Sequence, residues 1–181
     1  MLPSRKLIKR ELDAGKLGAP GLIRIHHWEA GGEVDAASKL PLALLQQLDV
    51  ILWFMEKPPT VVYAVEHGDK SKSKQGRYIQ IHLGFPGDAM ALLVYSSLHP
   101  PGDPYRSFHV IGSAGAAYAD DQQNMQLLYQ GGQPRGVIAA EKPAGGDDLR
   151  GTTQDWKNVM AVADAVQRSL DSRQSVSLEG H

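Results

Sequence analysis

The chain has 181 residues, 42% of them hydrophobic, with a formal net charge of −1. That fits one globular domain with a sizeable core, and it excludes a general electrostatic attraction to nucleic acid or to anionic membrane. Cysteine is absent, so disulfides, thiol nucleophiles and cysteine-based zinc sites are excluded together, and the composition suits a reducing compartment such as the cytoplasm.

Residues 3–15 read as a short helix. Leu7, Ile8 and Leu12 share one face, Arg5, Lys6, Lys9 and Arg10 line the other, and Gly15 stands where a C-terminal cap belongs. The basic run is expected to be a solvated face, and the segment lacks the apolar stretch of a secretion signal. Residues 21–30 alternate Leu22, Arg24, His26 and Trp28 against Ile23, Ile25 and His27, which predicts a strand. His26 and His27 then point to opposite faces and cannot share a metal. Gly31-Gly32 breaks the strand.

Residues 37–56 form the longest apolar run and predict a helix of roughly 27–30 Å at 1.5 Å per residue. Leu44, Leu48, Ile51, Leu52 and Met55 recur at helical spacing, and Leu40, Leu45 and Phe54 widen the stripe. A helix so apolar must be covered on more than one side. Lys39, Gln46, Gln47, Asp49 and Glu56 make it costly to place in a bilayer, so no membrane span is expected. Gln46 and Asp49, three positions apart, share part of one face. Pro58-Pro59 ends the helix, since proline lacks an N–H and disfavours helix in the residue before it.

A series of strands follows, at 60–67, 76–85, 89–97, 106–111, 116–120, 124–129 and 135–140, joined by turn-rich segments. Short joints favour antiparallel pairing of successive strands. Residues 142–151 read as a loop, 152–172 as a closing helix with Thr153 as its cap, and 175–178 as a last short strand. The closing helix carries Trp156, Val159, Met160, Ala163, Val166 and Leu170 on one face. The expected fold class is α+β, a large, mainly antiparallel open sheet with helices packed on one face. Its other face needs a partner, and Val61, Tyr63, Leu92, Val94, Leu127 and Tyr129 supply apolar side chains, so a two-fold homodimer is expected.

Few motifs carry chemistry. His82, His99 and His109 are scattered without carboxylates at ligand spacing, so no metal site is expected. Asp120-Asp121 and Asp147-Asp148 read as solvated turn residues, and there is no G-x-S-x-G nucleophile elbow. The glycine-rich pieces 112–115 and 131–136 lie between strands and read as turns, because a dinucleotide fingerprint must open a helix. The lysine-rich stretch 70–74 reads as a hairpin end.

The order of the elements carries more. "DAGKLG", a strand, a Gly-Gly break, a helix with "LDV…W", "PPTVVYAV", an antiparallel series, "HVIGSAGAA" and a late helix into "SLDSRQSVSL" run through nearly the whole chain. This order resembles the C-terminal domain of the Gfo/Idh/MocA family of NAD(P)-dependent oxidoreductases. The resemblance implies that residues 1–17 are the connector helix from an N-terminal Rossmann domain and 18–181 the substrate and oligomerisation domain. It implies NAD or NADP for the full-length parent and no cofactor or catalytic activity for this chain alone. The family's catalytic lysine sits in a Glu-Lys-Pro tripeptide of the Rossmann domain. Glu56-Lys57-Pro58 and Glu141-Lys142-Pro143 repeat those letters in the wrong context, so no catalytic residue is assigned. Many relatives carry an aspartate and, four residues later, a histidine on the long helix. The register set by Leu48-Asp49 puts Leu42 and Gln46 at those positions. Neither transfers a proton near neutral pH, so Leu42, Gln46 and Asp49 are expected as substrate-cleft residues. Two readings stay open, a domain of a sugar- or polyol-type oxidoreductase and a non-catalytic binding or oligomerisation domain. A free-standing ligand-binding module of other ancestry is a third.

Overall fold

The computed structural model contains, in chain order, α1 (Pro3–Asp13), β1 (Pro20–Trp28), α2 (Leu42–Met55), β2 (Val61–His67), β3 (Tyr78–Gly84), β4 (Met90–Ser96), β5 (Tyr105–Gly112), β6 (Gly115–Asp120), β7 (Met125–Gln130), β8 (Gln133–Ile138), α3 (Thr153–Ser172) and β9 (Val176–Ser177). It describes residues 3–31, 39–67, 77–99, 104–120, 125–130, 133–138 and 153–178. Each expected strand is present with its ends moved by a few residues. The stretch 70–74, Asp121, the Asp147-Asp148 pair and the loop 142–151 lie outside the described residues.

The strands form one nine-stranded sheet in the order β8-β7-β6-β5-β1-β4-β3-β2-β9. Every pairing is antiparallel except that of β1 with β4. From β2 to β8 successive strands pair as hairpins, as their short joints require, with one exception. β4 and β5 do not touch, because β1 is seated between them and bonds to both. A parallel pair needs a long crossover, and the chain from β1 through α2, β2 and β3 provides it.

Alternation sorts the sheet into two faces. Ile23 and Ile25 of β1 align with Ala91 and Leu93 of β4 and with Val110 and Phe108 of β5. Val62 and Ala64 of β2 align with Leu83 and Ile81 of β3. All ten are buried in one core with the helices. The helices cover this face in a row. Arg5 of α1 lies over the Phe108 ring, α2 packs on β1 and β4, and α3 packs on β2 and on α2. Beyond the end of the two-residue β9, the Ala64 N–H donates to Ser169 Oγ of α3 at 2.9 Å, and that hydroxyl donates in turn to the Gln174 carbonyl at 2.6 Å. A helix side chain thus supplies the hydrogen bond that the short edge strand cannot.

Two expectations change. The long helix begins at Leu42, not 37, because Pro41 occupies the N-cap position with φ −56° and ψ 134°, and Lys39 sits at φ 60°. Proline disfavours helix in the residue before it and is tolerated only at the start of one. With 14 residues, α2 is about 21 Å long. At its other end Glu56 adopts the left-handed conformation at φ 54°, and its N–H closes on the Leu52 carbonyl. The basic run of α1 is not a solvated face either. Lys6 and Arg10 are exposed, but Arg5 and Lys9 are each 4% exposed. Lys9 donates to Asp13 and to Glu56, and Arg5 Nη2 donates to Gln47 Oε1 at 2.7 Å. Asp13 lies within α1, but Gln47 of α2 and Glu56 at its C-terminal cap are distant in the chain, and a pattern within α1 cannot announce them.

The link from α1 into β1 is clamped against the turn between β5 and β6. Ser113 N–H donates to the Ala19 carbonyl at 2.9 Å and Ala114 N–H to the Leu17 carbonyl at 3.0 Å. A Cβ on Gly112 would stand 2.1 Å from the Leu17 carbonyl oxygen, a contact with backbone that no rotamer relieves. Gly112→Ala is therefore expected to destabilise the fold by about 1–3 kcal/mol, the usual range for overpacking. Urea unfolding should show a lowered midpoint at unchanged slope, and an unchanged midpoint would contradict this close approach.

Candidate functional site

The covered face is apolar along β1 until its last row. Past Ile23 and Ile25 comes His27, flanked by Tyr95 of β4 and Arg106 of β5. Glu29 follows two residues later, on the same side as His27 by the period of two. Its backbone is fixed, since its N–H donates to the Ser96 carbonyl at 2.8 Å and its carbonyl accepts from His99 at 3.2 Å. The Tyr95 hydroxyl donates to Glu29 Oε1 at 3.0 Å, and His27 Nε2 lies 3.1 Å from Oε2. Each carboxylate oxygen thus has one donor, given the Nε2–H tautomer of His27.

The electrostatics follow from that geometry. Burial pushes the Glu29 carboxyl upward, but the bonds from His27 and Tyr95 and the nearby Arg106 charge outweigh it and hold it below the ordinary glutamate value. Burial, then the Glu29 charge, drives the Tyr95 phenol far above its ordinary value, so it stays a donor. His27 is 1% exposed, and its Nδ1 has no hydrogen-bond partner among the described residues. A buried nitrogen left in that state costs about 1–3 kcal/mol.

Beside this group, Arg77 grips Glu66 with Nε and Nη2 and donates from Nη1 to the Lys39 carbonyl at 2.8 Å. That bond ties the segment entering α2 to the end of the sheet where β1 finishes. The first turns of α2 and the Glu29 group therefore belong to the same end of the molecule. Leu42 and Gln46, the expected cleft residues, occupy those turns and are half-buried, while Asp49 is buried at 7% exposure. The deeply buried amide of the helix is Gln47, which holds Arg5, and sequence reasoning passed over it. It also missed Glu29, His27 and Tyr95 as a group. The spacing of His27 and Glu29 on a strand was the available signal, whereas Tyr95 joins them only through the register of β4. Among the described residues no cluster of three or more His, Cys, Asp or Glu could hold a metal ion.

The open face of the sheet has a different character. Arg24 Nη2 donates to His109 Nδ1 at 3.1 Å, and His26 Nδ1 lies 2.9 Å from Ser107 Oγ. Trp28 packs against Tyr105 with ring centroids 5.0 Å apart, and His109 against Tyr118 at 5.2 Å. Burial, then the charge of Arg24, moves both His26 and His109 below the ordinary histidine value. Val61, Tyr63, Met90 and Ile111 are exposed on this side. Leu92 is half-buried there, but Val94, expected to be available, is 5% exposed in the row shared with His26 and Gln80. Leu127 and Tyr129 are in register with Tyr118 and Ala116.

No protein-family model and no curated protein matches the chain. Solved structures do. An oxidoreductase-class protein from Thermotoga maritima aligns with a TM-score of 0.78 at 16% identity, over 97% of this chain and 60% of that one. An aldose-aldose oxidoreductase from Caulobacter crescentus, complexed with glycerol, aligns at 0.73 with 18% identity, over 97% and 61%. An oxidoreductase from Agrobacterium radiobacter, in complex with NAD+, L-tartaric acid and magnesium, aligns at 0.77 with 12% identity, over 97% and 61%. The fold is that of a part of Gfo/Idh/MocA-type oxidoreductases, as the resemblance implied. The chain spans about three fifths of the length of these neighbours.

The Glu29 group has a pH signature. Its carboxyl is held below the ordinary value in the folded chain, so its contribution to stability is present above the unfolded value, near 4.5, and is lost as pH falls through the folded one. The stability gap between wild type and Glu29→Gln should be constant from neutrality to about pH 5 and shrink below it. A gap that stays constant down to about pH 3 would show that the carboxylate is not held by its donors.

Proposed function

We propose that this chain is the C-terminal, substrate-side and assembly domain of an NAD(P)-dependent sugar- or polyol-type oxidoreductase. In this reading residues 1–17 form the connector from a Rossmann domain, residues 18–181 form the C-terminal domain, and the chain alone is inactive. The observation that carries the proposal is the fold match over 97% of this chain against 60–61% of the neighbours. It leaves room in each of them for a further domain. The Agrobacterium neighbour holds NAD+, and the Caulobacter neighbour acts on aldoses. Among the described residues, the turn at 112–115 joins strand to strand, and α2 is entered through Leu40-Pro41. Neither offers the glycine loop and helix N-terminus that a pyrophosphate needs, so the dinucleotide belongs to the rest of the parent and no step is assigned to it here. No described helix is long and apolar enough to cross a membrane, and the cysteine-free composition fits the cytoplasm.

Within the domain, Leu42 and Gln46 line the cleft from α2. Gln46 hydrogen-bonds a substrate hydroxyl, Asp49 supports that part of the helix, and none of them transfers a proton. The open face, with its exposed Val61, Tyr63, Met90 and Ile111, is the contact with a second copy in a two-fold dimer. A second reading, a non-catalytic binding or oligomerisation domain, draws on the register that the resemblance implies from Leu48-Asp49, which puts Leu42 and Gln46 where many relatives carry an aspartate and a histidine.

The longer protein should turn over sugars or polyols with NAD or NADP. Gln46→Ala should raise KM about tenfold, the value of one lost hydrogen bond at its upper range, with kcat changed little. If the variant abolishes a turnover whose pH profile has an ionisation near neutrality, a relay runs through this position. Undetectable turnover in the wild type favours the non-catalytic reading. The isolated chain should show no heat of binding with either dinucleotide in titration calorimetry, and micromolar binding would contradict the domain assignment. Light scattering should give twice the monomer mass, and a monomer at high micromolar concentration would count against the open-face contact.

A further inference from the structure

The charges of the covered face hold partners within the chain. The open face is different. By the period of two, Arg24 and Asp120 are its only side chains charged at neutral pH among the described residues of β1 to β6. They belong to one patch with His26, Ser107, His109 and Tyr118, on the adjacent strands β1, β5 and β6. One cation and one carboxylate leave the patch neutral. Such a surface suits a second copy of itself, since about a two-fold axis each cation is able to meet the other copy's carboxylate.

A histidine decides whether that neutrality holds. Arg24 keeps its proton and has only donors to offer, so in its 3.1 Å contact with His109 the ring Nδ1 must accept. The ring is then neutral, with its proton on Nε2. A proton added at Nδ1 removes the acceptor and leaves two cations on adjacent strands. His26, with Nδ1 2.9 Å from Ser107 Oγ, is under no such condition, because a hydroxyl serves a neutral or a charged ring alike. The other groups around His109 are Asp120 and Tyr118, whose ring stands edge-on with centroids 5.2 Å apart. Across β4 and β3, Val94 and Gln80 continue the row of His26, Leu92 and His82 continue that of Arg24, and His99 stands against Trp28. Burial, then Arg24 and His26, lower the His109 ring below the ordinary histidine value of 6.5, against the pull of Asp120. The neutral ring is therefore the state at neutral pH, and the change comes on acidification below 6.5.

We propose that the Arg24–His109 pair is a pH switch on the contact between two copies of the chain, which holds while His109 is neutral and opens when acid protonates the ring and breaks its bond to Arg24. This rests on the two-fold dimer read above and deepens it by naming its regulation. Protonation in both copies adds two like charges to one contact, and a surface closed to water penalises them more than solvent does.

The experiment is sedimentation velocity of the 181-residue chain at about pH 7.5 and about pH 5.0, with the His109 ring titrated by NMR and the fold checked by circular dichroism. The dimer dissociation constant of the folded wild type should rise about tenfold or more at the lower pH, the effect of one unit of pKa difference between dimer and monomer. His109→Gln, whose amide oxygen accepts from Arg24 without titrating, should hold its own constant within about twofold across the two conditions. In Arg24→Gln the His109 ring should titrate at higher pH than in wild type, and the acid effect on the dimer should shrink. A wild-type dimer equally tight at both pH values overturns the switch and leaves the dimer reading standing. A monomer at both pH values at high micromolar concentration removes the dimer reading and the switch with it. A pH response that persists in His109→Gln, or a His109 ring whose titration Arg24→Gln does not move, overturns the assignment to this pair.

Discussion

The structure depends on the placement of β1 between β4 and β5. A strand bonded on both edges in the middle of a sheet has no solvent-facing backbone, so its two side-chain rows alone decide what each face becomes. On the covered side, Ile23 and Ile25 set a dry core that Leu93, Phe108 and Val110 continue. On the open side, Arg24, His26 and Trp28 set a polar and aromatic surface that His109, Ser107 and Tyr105 continue. The division of the domain into a packing face and a contact face is therefore the alternation of one strand, copied sideways by register.

The helical layer obeys a second constraint, that buried charge must be paired. Burial works to lower the Lys9 ammonium, yet its bonds to Asp13 and Glu56 outweigh that effect and hold its proton more tightly than in water. Arg5 meets Gln47 and the face of Phe108. Buried pairs of this kind add little net stability, because desolvation offsets the attraction. They do penalise any arrangement in which α1 leaves α2, since a charge would then lose its partner. Their effect is to fix where α1 sits, and with it the direction in which the chain enters the sheet.

The same rule makes the Glu29 group informative. It stands where the apolar rows end, and it consists of a carboxylate held ionised by a phenol and an imidazole beneath it. Apolar residues at those positions would cover the core at less desolvation cost. The group lies at the end of the sheet to which Arg77 ties the entry of α2, the end that Leu42 and Gln46 occupy from the helix side.

Local patterns in the sequence determined the elements. Two-residue alternation marked the strands, proline and glycine marked most of the joints, and helical spacing of Leu44, Leu48, Ile51 and Met55 marked the buried side of α2. These signals are legible because each arises between residues near in the chain, where sterics and backbone geometry act directly. Even there Pro41 starts α2 at Leu42, five residues later than the apolar run alone implies. Tertiary structure alone decided what distant segments do to one another. It put β1 between β4 and β5, buried Arg5 and Lys9, gave the deep amide position to Gln47 beside Gln46, and brought Tyr95 up to Glu29. The reason is that a side chain's burial and partners depend on register across strands and on packing between layers. Those are set by the cooperative closing of the whole core, and no short window of sequence contains them.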